Sequence, residues 1–185
     1  MQKKKYPYKL HSIPTIGDGS CFLHAVIGAI SPCYKFSSHG EKIRLVRQMR
    51  KELSLLIDEK NRDGKTYYEI LSRGQLKNLS EHLDEVKLEN MKKFLDSNSW
   101  FSHLYVEFIS EVFEIDIYIV DYNTKRLYNL GDDELFYKDR NSIIIGYDGC
   151  HFETLSVLCS KGKKRTYFSG RSPVILKLKN LLYIK

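Results

Sequence analysis

"YVEFISEVFEIDIYIVD", residues 105–121, changes period half-way along, and the fold class turns on that change. Up to Phe113 the apolar residues Tyr105, Phe108, Ile109, Val112 and Phe113 recur at the three-and-four spacing of one helix stripe. From Glu114 the spacing becomes two: Ile115, Ile117 and Ile119 alternate with Asp116, Tyr118 and Val120, and β-branched residues dominate, as in a strand. Upstream of this switch the chain reads as helical. Residues 22–30 carry Phe22, Ala25, Val26, Ala29 and Ile30 on one stripe, closed by Ser31-Pro32. Residues 41–58 carry Ile43, Val46, Met49, Leu53, Leu56 and Ile57, and "NRDGK" at 61–65 breaks the pattern. Further helices are predicted over 80–95, with Leu83, Val86 and Met91 inward, and over 102–113.

Downstream the chain reads as extended. "SIIIGY" at 142–147 is a short continuous apolar run, hence a buried strand, and Asp148-Gly149 marks a turn. "HFETLSVL" at 151–158 follows as its antiparallel partner, and "PVILKLK" at 173–179 reads as a last strand or an extended arm. Helices first and strands later predict an α+β fold, one sheet packed on helices.

At 185 residues, 42% hydrophobic and 12% aromatic, the chain has the size and composition of one globular domain with a full core. No apolar run approaches the ~18 residues of a membrane span, and the polar start "MQKKKYPYKL" predicts no secretory leader. Cys21, Cys33, Cys150 and Cys159 show neither framework spacing nor a CxxC, so reduced thiols in a cytosolic setting are expected, without a common structural zinc site. The formal charge of +7 gathers in "KKK" at 3–5 and "KGKKRTYFSGR" at 161–171. A basic tail beside Tyr167 and Phe168 suits RNA or an acidic surface, but it equally suits a solvated end, and no RRM, KH or zinc-finger signature accompanies it.

The chemistry gathers in "TIGDGSCFLHAV", residues 15–26, where Asp18-Gly19 turns straight into Ser20-Cys21 and a helix. A helix N-terminus lowers a thiol pKa, and backbone N–H groups at such a turn can face a developing oxyanion. Alone, "DGSC" is read as readily as a buried structural cysteine. A nucleophilic cysteine also needs an imidazole, and the imidazole an orienting group. His11, His39, His82 and His103 have no evident partner, and His24 is expected to be a partly buried surface residue that the helix turns away from the thiol. His151 opens a predicted strand with Glu153 two positions on, and residues i and i+2 of a strand share a face. "HFE" alone reads as an ordinary alternating strand; its occurrence with "DGSC" lifts both.

Together "GDGSCFLHAV" (17–26) and "GCHFETL" (149–155) resemble the two signature blocks of the OTU (ovarian tumour) cysteine proteases, which are deubiquitinases. "SWFSHLYVEFISEVFEIDIYIVD" (99–121) is similar to the family's Trp-led segment, and "SIIIGYDGCHFETL" (142–155) to its strand–loop–His strand. The resemblance implies a papain-like α+β fold whose twisted, mostly antiparallel central sheet lies between helical regions. The blocks cover most of residues 13–158, and the expected organisation is a basic N-terminal arm at 1–12, the OTU catalytic domain over 13–160 and a basic C-terminal extension at 161–185, a further strand or tail of the same domain. Carried over by position, it makes Cys21 the nucleophile and His151 the general base, and places Asp18, through its backbone, with the amides of Gly19 to Cys21 at the oxyanion hole. Glu153 stands where the family usually has Asp or Asn, and Phe101-Ser102 where many relatives carry two glycines.

The expected activity is hydrolysis of isopeptide bonds after the C-terminal glycine of ubiquitin, with no cofactor and no metal. The expected partners are ubiquitin and polyubiquitin chains, met by a monomer in the cytoplasm, a host's cytoplasm if the chain is viral or pathogen-encoded; nucleic acid and membrane are not expected. The acidic residues Glu81, Asp84, Glu85 and Glu89 of the 80–95 helix suit a ubiquitin-facing surface or a plain solvated face. Three other readings stand beside this one: a ubiquitin-binding module of weak activity on the same fold, a metal site drawing on Cys21, His24, Cys150 and His151, and an RNA-binding protein.

Overall fold

The computed structural model of the chain describes residues 9–73, 86–100, 105–127, 137–159 and 162–182. In chain order its elements are β1 (Leu10–Ile13), α1 (Cys21–Ile30), α2 (Pro32–Phe36), α3 (His39–Leu56), α4 (Tyr67–Arg73), α5 (Leu88–Leu95), α6 (Val106–Val112), β2 (Asp116–Asp121), β3 (Arg126–Leu127), β4 (Ser142–Tyr147), β5 (Phe152–Leu158), β6 (Lys164–Arg165), β7 (Tyr167–Phe168) and α7 (Pro173–Leu182). The period switch lies where the sequence puts it. Helix α6 ends at Val112, Glu114 takes a left-handed φ of 52°, and β2 starts two residues later.

One sheet runs in the order β1-β5-β4-β2-β3, with β6 on β5 and β7 on β4. Among the described residues only the β2–β4 pair is parallel; the other pairings are antiparallel, among them β4 with β5 as expected. Successive strand residues point to opposite faces. Ile117, Ile119, Ile143 and Ile145 therefore join a core with Phe22, Val26, Val46, Leu53, Met91 and Phe108 from the helices before the sheet. Tyr118, Val120 and Ile144 join a second core with Ile175 and Leu178 of α7. Both faces of β2 and β4 are buried, so the sheet lies between helical regions.

Helix α3 starts at a capping box: the Glu41 amide donates to Ser38 Oγ, and Glu41 Oε2 accepts from the Ser38 amide at 2.7 Å. Its buried stripe contains a charge, because Arg50 sits between Val46 and Leu53 on the inward face.

Residues 173–179 correct the sequence reading: they are helix, not strand. "PVILKLK" alternates apolar and polar over its last positions, but Pro173 preorganises a first helical turn, Ser172 Oγ accepts from the Ile175 amide, and Ile175 and Leu178 are three apart on the buried face. At the other end Leu10–Ile13 form an unanticipated strand, with Leu10 opposite Val157 and Ile13 opposite Thr154. Of the helix expected over 80–95, Leu88–Leu95 is observed with Met91 buried; Glu81, Leu83, Asp84 and Glu85 lie outside the described residues, as do 102–104 of the helix expected over 102–113. Among the described residues no helix is long and apolar enough to cross a membrane.

Candidate active site

The loop from Thr15 to Cys21 leaves the end of β1 and turns into the first residue of α1. Gly19 is required there twice over. Its φ is +87°, and a Cβ would lie 2.5 Å from the carbonyl oxygen of Asn98. The carboxylate of Asp18 turns inward: Oδ1 accepts from the Ser20 amide at 3.0 Å, and Oδ2 lies 3.1 Å from His24 Nε2. The other ring nitrogen of His24, Nδ1, meets the hydroxyl of Tyr34.

Protonation states follow from burial. His24 is 1% exposed, and desolvation lowers its pKa below the ordinary imidazole value against the pull of Asp18. Tyr34 is pushed up to about 12, mainly by burial, and keeps its proton. A neutral His24 then donates from Nε2 to Asp18 and accepts at Nδ1 from Tyr34. His24 is a buried structural residue, not the partly exposed one expected.

Arg50 holds the same loop from α3. Nη1 donates to Ser20 Oγ at 3.2 Å, Nε to the Leu95 carbonyl at 2.9 Å and Nη2 to the Phe94 carbonyl at 2.8 Å. The last two are carbonyls at the C-terminal end of α5, where a cation is favoured. The sequence does carry a sign of this: an arginine on the apolar stripe of an amphipathic helix must find acceptors inside.

Cys21 is 7% exposed, among core residues. Burial raises its pKa above the ordinary thiol value, while the backbone amides of Phe152, Phe22 and Cys21 pull it down. The Phe152 amide belongs to the residue after His151, so the sulfur lies against the start of β5. Edge-to-face packing of Phe22 on Phe152, centroids 5.2 Å apart, locks α1 to that strand.

His151 is presented by a turn in which Gly149 has φ +105° and Asp148 Oδ1 accepts from the amides of Cys150 at 3.0 Å and His151 at 2.7 Å. Its ring lies against the Cys21 loop: Cε1 is 3.9 Å from where a Cβ on Gly17 would sit, and Nε2 is 3.1 Å from Thr15 Oγ1. Glu153 does not meet the ring. Its Oε2 accepts from Ser12 Oγ and, at 3.3 Å, from the Tyr122 hydroxyl. The shared-face expectation applies within a regular strand, but β5 starts at Phe152 and His151 stands outside it.

Around Cys21 the Ser20 amide is committed to Asp18 and the Cys21 amide turns toward its own sulfur, while the Gly19 amide has no acceptor among the described residues. Asp18 thus shapes the loop with its carboxylate, a role the sequence reading did not give it. Of the four residues weighed as metal ligands, His24 has both nitrogens bonded and the exposed Cys150 faces Asp148. Among the described residues no group of three His, Cys, Asp or Glu side chains stands ready to hold an ion.

The chain is similar to a solved OTU domain in complex with ubiquitin, with 21% identity, 93% of this chain and 81% of that chain covered, and a TM-score of 0.57. It is also similar to the viral OTU domain protease from Taggert virus, with 18% identity, 85% and 83% covered, and a TM-score of 0.54. The fold is therefore that of OTU domains. No family model and no curated protein matches the chain.

Proposed function

We propose that the protein is a cysteine-type deubiquitinase of the OTU class, which cleaves the isopeptide bond after the C-terminal glycine of ubiquitin. The observation that carries this reading is the crossing of two distant segments: the Cys21 thiol lies against the Phe152 amide, and the His151 ring lies against Thr15 and Gly17. A thiol at a helix N-terminus, with backbone amides beside it and an imidazole one residue before the amide it touches, is the equipment acyl transfer needs.

The proposed steps balance as follows. His151 takes the thiol proton as the Cys21 sulfur attacks the glycine carbonyl carbon. Negative charge moves to the carbonyl oxygen and meets the Gly19 and Cys21 amides; one such donor is worth about 3 kcal/mol in a transition state. The tetrahedral intermediate collapses, the C–N bond breaks, and the His151 proton leaves with the lysine amine. Water, deprotonated by His151, then hydrolyses the thioester. Because burial raises the Cys21 pKa, the resting nucleophile is a thiol deprotonated during attack rather than a standing thiolate. The proposed substrates are ubiquitin conjugates and polyubiquitin chains in the cytoplasm, taken by a single protomer.

A panel of di-ubiquitins of each linkage, incubated with the wild type and with Cys21→Ala, tests the reading. Cleavage of at least one linkage is expected, with complete loss in the variant; cleavage retained by Cys21→Ala refutes the assignment. The buried, high-pKa thiol also favours a second reading, a module that binds ubiquitin without turning it over. Covalent capture of Cys21 by a ubiquitin bearing a C-terminal electrophile separates the two, since a binding module is retained on ubiquitin but not captured.

A further inference from the structure

We infer that Thr15 is the residue that positions His151 and sets its tautomer, in the place where the sequence suggests Glu153; the inference rests on the deubiquitinase reading above. The argument is one of hydrogen-bond accounting. Thr15 Oγ1 lies 2.5 Å from the Phe152 carbonyl oxygen and 3.1 Å from His151 Nε2. A carbonyl oxygen only accepts, so the single hydroxyl proton of Thr15 goes to Phe152. What remains on Oγ1 is acceptor capacity, and His151 Nε2 must be the N–H that fills it. The ring is thereby held as the Nε2–H tautomer, and Nδ1 carries the lone pair that a base needs.

The placement of Thr15 is itself well fixed. It follows Pro14 directly after β1, whose Ile13 is paired with Thr154 of β5. Threonine is stiff about its first side-chain torsion, and here both functions of its hydroxyl are engaged on the residues His151 and Phe152. Glu153 is held elsewhere by an equally definite arrangement. Its backbone partner in β4 is Gly146, where an added Cβ would fall 2.0 Å from the Tyr122 hydroxyl. The missing side chain lets Tyr122 lie across β4 and reach the Glu153 carboxylate, which Ser12 holds from β1. Burial, with the Glu153 charge adding to it, pushes Tyr122 up to about 12, so its phenol remains a donor to that carboxylate.

A hydroxyl orients an imidazole as a carboxylate does but adds no negative charge to stabilise the imidazolium. The expected consequence is an enzyme that depends on Thr15 for geometry and starts from a protonated Cys21.

The test uses the full chain and two kinds of readout. In turnover of a ubiquitin C-terminal fluorogenic amide, Thr15→Val is expected to lower kcat about 10- to 100-fold with KM within about twofold, since the loss falls on a step after binding. Thr15→Ser restores the hydroxyl and is expected to recover most of kcat, which a merely packing role for the methyl group would not allow. Glu153→Gln is expected to cost less kcat than Thr15→Val. Independently of any substrate, the ring ¹⁵N shifts of His151 are expected to report Nε2–H in the wild type and a tautomer mixture in Thr15→Val. An Nδ1–H ring in the wild type, or a Glu153→Gln loss as large as that of Thr15→Val, overturns the inference. A wild type that turns over no ubiquitin sinks the deubiquitinase reading instead, and the ring shifts still decide what Thr15 does to His151.

Discussion

The loop that ends in Cys21 is tied down from three directions, by the Tyr34–His24–Asp18 chain, by Arg50 on Ser20 and by the close approach of Gly19 to Asn98. The loop that presents His151 is tied mostly by exposed groups, by its own Asp148, by Asn123 on the Asp148 carbonyl and by Tyr147 on the Gly149 carbonyl, with one neutral hydroxyl from Thr15 on the ring. On the nucleophile side the partners are buried, so polar groups that lose a bond there have no water to replace it. On the base side Asp148 is exposed, and a lost bond is made good by solvent. The proposed active site therefore joins a half whose failure should appear as lost stability with a half whose failure should appear as lost activity alone.

The sharpest way to break that contrast is Arg50→Met. Methionine keeps the apolar stem but strands two carbonyls of α5 and the Ser20 hydroxyl, and since each buried polar group left unmatched costs about 1–3 kcal/mol, a total of about 3–5 kcal/mol is expected. For a chain of this size that is a fall of roughly 6–20 °C in Tm. Thermal and urea unfolding check it; a loss near 0.5 kcal/mol would show that the loop does not depend on α3. Gly19→Ala comes next. Its Cβ meets a backbone oxygen at 2.5 Å in a left-handed conformation, so a cost of about 1–3 kcal/mol is expected, with Cys21 displaced and turnover lowered as well. On the base side, Asp148→Ala should leave unfolding within about 1 kcal/mol of wild type yet lower kcat about 10- to 100-fold, because a misplaced His151 is costly even when the fold is not. If Asp148→Ala unfolds the protein as readily as Arg50→Met, the two halves are not different in kind.

The same contrast governs what the sequence made legible. The switch of period at Glu114, the stripe of α3 and the turn at Asp148-Gly149 are local patterns, and each appears where its spacing puts it. Pairings across the fold were out of reach. Strand β1 is four residues long, and its partner β5 lies at the far end of the chain. Helix α7 was hidden because alternating Leu176 to Lys179 satisfies a strand pattern while Ile175 and Leu178 satisfy a helical one; Ser172-Pro173 was the deciding signal. Cys21 and His151, the proposed nucleophile and base, stand out as residue types in context. Thr15, Arg50 and Tyr34 do not, because the sequence does not say what a threonine, an arginine or a tyrosine touches; only the fold shows their bonds to His151, Ser20 and His24. Glu153 shows the opposite error, a suitable residue type at a suitable spacing whose carboxylate has other partners.

The smallest expected effect separates the two halves by pH. His24 is lowered by desolvation, with Asp18 opposing and the charges of His39 and Lys42 assisting. A folded-state pKa below that of the unfolded chain means that, on acidification through about 6.5, unfolded molecules take up a proton that folded ones refuse. The unfolded state then binds more protons, so stability rises with pH across this window and falls as pH drops through it, levelling off once the folded value is passed. The comparison must be between two proteins that differ only in the imidazole of His24. His24→Gln keeps a donor for Asp18 and an acceptor for Tyr34 but does not ionise. Its urea-unfolding free energy between pH 8 and pH 5.5 should fall less steeply than that of wild type. Equal slopes would mean that His24 is as easily protonated folded as unfolded, and a buried neutral His24 between Tyr34 and the Asp18 carboxylate could not then be what fixes the Cys21 loop.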